Sequence, residues 1–229
     1  MIAIFSPSVE SMTILLKRLN IKKHFQMNKL NIFEGTLNNN DILLIETASD
    51  KTSIGMITGI VSQLYDINFI LIQGNCGSLD CKKAKIGDIG ISSNAIQFDI
   101  NFSAVGYPPN TIPLINKCVF NSSKYLIRLA LHSCKLCKYN STVGRYASSS
   151  TFINSDSDSH YLNNTYNSLF VDTECGSSLQ VCNTLKIPAI CIKGICNYAN
   201  CNAKNDFRKY YRKANKLSCD VIYIMLNLL

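Results

Sequence analysis

Short apolar runs alternate along this chain with apolar residues at helical spacing, and that alternation predicts strands and helices in turn. Residues 2–5 read as a first strand, and Met12, Leu15, Leu16 and Leu19 follow at i, i+3, i+4 and i+7, the spacing of an amphipathic helix. Residues 32–35 and 41–46 read as two strands around Asn38-Asn39-Asn40, a hairpin because asparagine tolerates positive φ. A helix is expected over 52–65. Phe69-Ile70-Leu71-Ile72-Gln73 is a continuous apolar run ending in Gly74-Asn75-Cys76-Gly77-Ser78, the pattern of a central strand buried on both faces and followed by a loop.

Further along, the pattern predicts a strand over 87–92, an irregular stretch through Gly106-Tyr107-Pro108-Pro109, and a helix near 121–137. Strands over 141–147, 169–172 and 189–193 follow. A helix over 174–185 carries Cys175, Leu179, Cys182 and Leu185 on one face, and a last helix covers 206–228. Apolar strands alternating with helices argue for a mostly parallel sheet covered on both faces. With 229 residues, 47% of them hydrophobic, and no polar linker or tandem repeat, one domain over 1–229 is expected.

Composition narrows the function classes. The net charge of +8 is scattered in small groups such as Lys82-Lys83 and Arg208-Lys209, which reads as a solvated surface; no nucleic-acid motif accompanies it. The apolar start is too short for an export signal or a membrane span, so a cytoplasmic protein with no membrane partner is expected. The eleven cysteines are odd in number and sit mostly in apolar or helical stretches, as reduced thiols do. Cys134 and Cys137, with His132 nearby, form one ligand pair where a structural zinc site needs two.

Val171-Asp172-Thr173-Glu174 ends a strand and opens a helix, and Lys193-Gly194-Ile195-Cys196-Asn197 ends the next strand. Ligands bind at the carboxyl ends of strands in α/β proteins, which places Glu174 and Asn197 to meet one together. For Glu174 alone, a carboxylate at a helix N-terminus favoured by the helix dipole is the competing reading.

In order and separation, several segments together resemble the 5′-methylthioadenosine/S-adenosylhomocysteine nucleosidases of the purine nucleoside phosphorylase superfamily. They are Ile72-Gln73-Gly74-Asn75-Cys76-Gly77-Ser78-Leu79, Lys85-Ile86-Gly87-Asp88-Ile89, Ala104-Val105-Gly106-Tyr107, Ser149-Ser150-Thr151-Phe152-Ile153, Val171-Asp172-Thr173-Glu174, and Ile187-Pro188 before the strand that ends at Asn197. The resemblance implies a three-layer α/β fold with a mixed, largely parallel central sheet flanked by helices. It also implies hydrolysis of the N-glycosidic bond of a 5′-thioadenosine to adenine and a thioribose, without metal or organic cofactor, in a homodimer whose 104–113 loop closes the partner's pocket.

Residue by residue, the resemblance makes Glu174 the ribose-binding glutamate, with Asp172 and Thr173 beside it. Phe152 and Ile153 become the adenine wall, Gly77 the loop under the ribose and Phe207 an aromatic of the closing helix. The chemistry of the family needs an acid at N7 and a base for water. Here Asn197 stands at the acid's position and Met12 at the base's, and an asparagine amide donates a hydrogen bond but transfers no proton at neutral pH. Glu10 is a candidate displaced base, although two residues on a helix is a rotation of about 200°. Asp50 is expected to add negative charge near the sugar, Asn75 replaces a small serine, and Ser150 an aspartate. Strongly reduced activity is the expectation, or else a catalytically silent nucleoside-binding protein or a regulatory partner of an active relative.

Overall fold

The computed structural model describes residues 1–229. The chain opens with β1 (Ile2–Ser6) and α1 (Thr13–Arg18), then a meander of β2 (Asn20–Met27), β3 (Leu30–Leu37) and β4 (Asn40–Glu46). Next come α2 (Lys51–Leu64), β5 (Phe69–Ser78), β6 (Ile89–Gln97), the short β7 (Phe120–Asn121), α3 (Lys124–Leu136) and β8 (Ser141–Ser148). The remainder is α4 (Asp156–Tyr166), β9 (Ser168–Asp172), α5 (Cys175–Leu185), β10 (Ala189–Asn197) and α6 (Ala203–Asn227). No helix is long and apolar enough to cross a membrane.

All ten strands form one sheet, in the order β10-β6-β8-β9-β5-β1-β4-β3-β2 with β7 on β6. Because β10 also pairs with β5, the strands β5, β9, β8, β6 and β10 close into a ring, and β1 to β4 extend from it as an open wing. The α/β class with a mixed sheet agrees with expectation, but the sheet is less parallel than the apolar runs suggest. β1 lies parallel to β4 and β5, β5 to β10, and β8 to β6 and β9. β3 is antiparallel to β2 and β4, and β6 to β10 and β7, as is β9 to β5. Tight turns impose part of this: Asn38 and Asn39 both take positive φ, 51° and 63°, as a two-residue hairpin requires.

The period of two along each central strand sends alternate residues to opposite faces. Ile4, Leu44, Leu71 and Ile192 pack with Met12 and Leu15, with Leu126 of α3 and with Leu217, Ile222 and Met225 of α6. Phe5, Ile45, Ile72 and Cys191 pack with Ile54 and Val61 of α2 and with Cys175, Leu179 and Cys182 of α5. Helices on both faces explain why these strands are apolar without alternation. α6 lies so close to β10 that a Cβ on Gly194 would stand 2.2 Å from the Ala214 carbonyl oxygen.

Two elements escape the sequence pattern. β2 is the outer edge of the sheet, none of its residues is buried, and its Lys22 and Lys23 suit an edge that must not recruit another strand. α4 buries only Ser159 and Leu162, so it shows no apolar stripe; the Ser155 hydroxyl caps it by accepting the Asp158 N–H. The loop expected after Gln73 is strand: β5 runs on to Ser78 because β10 and β9 supply partners through Gly77 and Ser78. All eleven cysteines are free and seven of them are buried. Cys134 belongs to the apolar core and Cys137 sits half-buried just past α3.

Candidate active site

The ends of β1, β4, β5, β8, β9 and β10 surround a cavity of about 220 Å³. Pro7 and Ser49 line it after β1 and β4; Asn75, Cys76 and Gly77 belong to β5; Thr151, Phe152 and Ile153 follow β8. Val171, Asp172, Thr173, Glu174 and Asn197 complete the floor, and Phe207 reaches in from the first turns of α6. Phe152 and Phe207 meet edge to face at 5.8 Å, and Phe207 stacks on Tyr211 at 5.3 Å, so the aromatic side of the cavity is held in register with the helix. Nine of the residues singled out from the sequence line this one cavity: Asn75, Gly77, Phe152, Ile153, Asp172, Thr173, Glu174, Asn197 and Phe207.

Glu174 does not stand alone. Lys193, in the middle of β10 and 1% exposed, donates to Glu174 and lies 2.7 Å from Asp172. Asp172 also accepts the Ser148 hydroxyl and the Cys175 N–H, which makes it a cap for α5 and turns its carboxylate away from free ligand binding. Burial disfavours the Lys193 ammonium, yet the two carboxylates outweigh it and hold its pKa well above the ordinary lysine value. Burial raises the pKa of Glu174, with Lys193 opposing. The lysine was detectable in the sequence as the one charge inside the apolar run 189–195, since a buried charge requires partners.

From Asn75, on the other side of the cavity, an uncharged chain of amides and hydroxyls leads toward a neighbouring surface cleft. Asn75 Nδ2 donates to Asn215 Oδ1 at 3.1 Å, Asn215 Nδ2 donates to the Ser11 hydroxyl at 3.0 Å, and the Ser8 and Ser11 hydroxyls share a bond. Behind them Gln73 donates to Ser218 and to the Asn215 carbonyl. At the cavity floor the Asn197 Oδ1 accepts the Ala199 N–H at 2.8 Å. Burial raises the Cys196 thiol to about 12, which keeps it protonated and without nucleophilic character.

Three further residues named from the sequence do not line the cavity. Met12 does not line the cavity; it is fully buried in the core beside Leu15, because the residue before α1 turns its side chain to the apolar face. Glu10 lies in a separate surface cleft with Ser11, Ile14, Arg212, Asn215 and Lys216, where it accepts from Arg212 at 2.9 Å and from the Tyr211 hydroxyl. Asp50 does not line the cavity but caps α2 by accepting the Ser53 N–H at 2.8 Å, and its neighbour Ser49 lines the cavity.

The family model described as the phosphorylase superfamily matches residues 1–227. The chain belongs to the phosphorylase superfamily. The superfamily match spans every residue that lines the cavity. Among sequence relatives, the 5′-methylthioadenosine/S-adenosylhomocysteine nucleosidase of Glaesserella parasuis is 27% identical over 227 residues, 99% of this chain and 98% of that one. Two Helicobacter pylori structures, each 22% identical with a TM-score of 0.94, share the superfamily fold over 100% of this chain. One is a native futalosine hydrolase, covered over 97% of its length. The other is an aspartate-to-asparagine mutant of the methylthioadenosine/S-adenosylhomocysteine nucleosidase with 5′-methylthioadenosine in its active site, covered over 98%.

Proposed function

We propose that the chain is an N-ribosyl hydrolase of the methylthioadenosine/S-adenosylhomocysteine nucleosidase type, with strongly reduced turnover of 5′-thioadenosines. The observation that carries this reading is the buried Lys193–Glu174–Asp172 cluster beside an aromatic wall, in one cavity at the strand ends. Glu174 accepts hydrogen bonds from the ribose hydroxyls, and Lys193 fixes its carboxylate for that purpose. The cluster carries one net negative charge, which favours the positive charge that develops on the sugar as the bond to the base lengthens. The base lies against Phe152, with Asn197 at its edge.

The two carboxylates that line the cavity, Asp172 and Glu174, are both engaged by Lys193, and no other acid or base lines it. Asn197 is an amide, Met12 is in the core, and Glu10 is in another cleft. Loss of a general acid or base costs roughly 10²–10⁴-fold, so slow turnover is expected. Incubation of micromolar protein with 5′-methylthioadenosine, followed for free adenine, tests this: slow release above the buffer blank supports the hydrolase. No release, with binding of a non-cleavable thioadenosine analogue, turns the reading to the second one, a silent nucleoside-binding member of the superfamily. The relative that holds 5′-methylthioadenosine after an aspartate-to-asparagine change favours that second reading.

The proposal includes a homodimer. Phe102, Val105, Tyr107, Leu114 and Ile115 are exposed apolar side chains concentrated in the segment between β6 and β7, as a surface covered by a second copy would be. Sedimentation of the native chain and of Val105→Glu measures it; a monomeric native chain ends this part of the reading.

A further inference from the structure

A second cleft, of about 260 Å³, lies between β6, β8 and the start of β9 and shares no lining residue with the cavity. Two bulges shape it. The pairing of β8 with β6 passes over Ser93, since Gly144 faces Ser92 and Arg145 faces Asn94. Its pairing with β9 passes over Leu169, since Arg145 faces Ser168 and Tyr146 faces Phe170. Both pairings are parallel, where bulges are rare, and both extra residues line the cleft on either side of Arg145.

Arg145 is half-buried, belongs to none of the chain's ion pairs, and has no Asp or Glu beside it in the cleft lining. Its Nε donates to Asn94 Oδ1 at 2.7 Å, and its Nη1 donates to the Tyr166 carbonyl at the end of α4 at 2.8 Å. These acceptors fix the guanidinium plane without a carboxylate to cancel its charge, and Nη2 keeps its N–H groups unpartnered in the chain. Further donors surround it. The Ser93 hydroxyl accepts from Asn94 Nδ2 at 3.3 Å and has no acceptor for its own proton. Asn167 lines the cleft with a side-chain amide that has no partner in the chain, and Lys83 adds an ammonium, paired at 3.2 Å with Asp80 outside the lining.

We infer that this cleft binds a phosphate group, as the free ion or as a phosphate monoester, with Arg145 as its anchor. Donors on β6, on β8 and in the turn into β9 come from three sides. A phosphate has three acceptor oxygens in different directions, whereas a carboxylate offers two in one plane. The inference goes beyond the hydrolase reading and does not rest on it.

Calorimetric titration of the intact chain at low ionic strength tests it, with inorganic phosphate in one arm and glycerol 3-phosphate in the other. Saturable binding with a dissociation constant of about 1 mM or below is expected in at least one arm, and the tighter arm names the source. Asn167→Asp puts a carboxylate at an exposed position whose left-handed φ of 50° aspartate tolerates, so the fold is kept. Binding by that variant is expected to weaken about tenfold or more, and Arg145→Gln is expected to abolish it. No saturation in either arm below about 10 mM overturns the inference. Equal affinity of the native chain and Asn167→Asp also overturns it, because the bound group is then an adventitious ion only, held elsewhere.

Discussion

Where β9 meets α5, three charged side chains are buried together; beyond Asn75 on the other side of the cavity, between β1, β5 and α6, the space is filled by amides and hydroxyls instead. The charged side is tied to the fold itself, since Asp172 accepts the first N–H of α5 and Lys193, in the middle of β10, holds the end of β9 and the start of α5 through Asp172 and Glu174. The neutral side, Asn75, Asn215 and Ser11, satisfies its own polar groups and offers no proton. The contrast teaches that one side of the site is tied to folding while the other is not; on the function proposed above, the side tied to folding is also the one that grips a ribose.

The comparison can be broken most strongly at Lys193. Lys193→Met leaves two buried carboxylates without their cation, and stability is expected to fall by about 3–5 kcal/mol in urea unfolding. A loss below about 1 kcal/mol would mean that the charged side does not support the fold. Next in size, Met12→Glu places a carboxylate in the apolar core; a loss of about 2–4 kcal/mol is expected by the same measurement. An unchanged midpoint would instead put that side chain within reach of the cavity.

A smaller and more selective effect concerns pH. Burial raises the pKa of Glu174 above its ordinary 4.5, and ribose binding uses the carboxylate form. Nucleoside affinity should therefore fall as pH is lowered, with a midpoint above 4.5, while Glu174→Gln should bind weakly with a flat profile. The contribution of Glu174 to stability runs the other way: a folded pKa above the unfolded one stabilises at low pH, and that stabilisation is lost as pH rises through the folded value. Smallest of all, Glu10→Gln removes an exposed pair with Arg212 and should change binding and stability by no more than about 0.5 kcal/mol. A larger loss of turnover would return Glu10 to the site.

The central strands, the amphipathic helices and the tight Asn38-Asn39 turn could be read from the sequence because burial on one or both faces writes a period into the chain. β2 and α4 could not, since neither buries enough apolar surface to leave one. In the cavity, Glu174, Asn197 and the aromatic wall were legible at strand ends and through family likeness. Lys193 was overlooked although its charge breaks an apolar run, and Asn215 gives no sequence signal, because its partners lie at residues 11 and 75. The fate of Met12 and Glu10 depended on where the short α1 turns its faces, a matter of packing against α6.

The Asn75–Asn215–Ser11 chain also bears on how the protein is made. Its central member is carried by the last helix, 140 residues after one partner and 204 after the other. During synthesis the segments that bear Ser11, Gln73 and Asn75 emerge first, and their polar groups stay wet until α6 docks. The cavity therefore becomes complete only once the chain is finished, and a product truncated before Ala203 would expose Gln73 and Asn75 together with the apolar face that α6 covers.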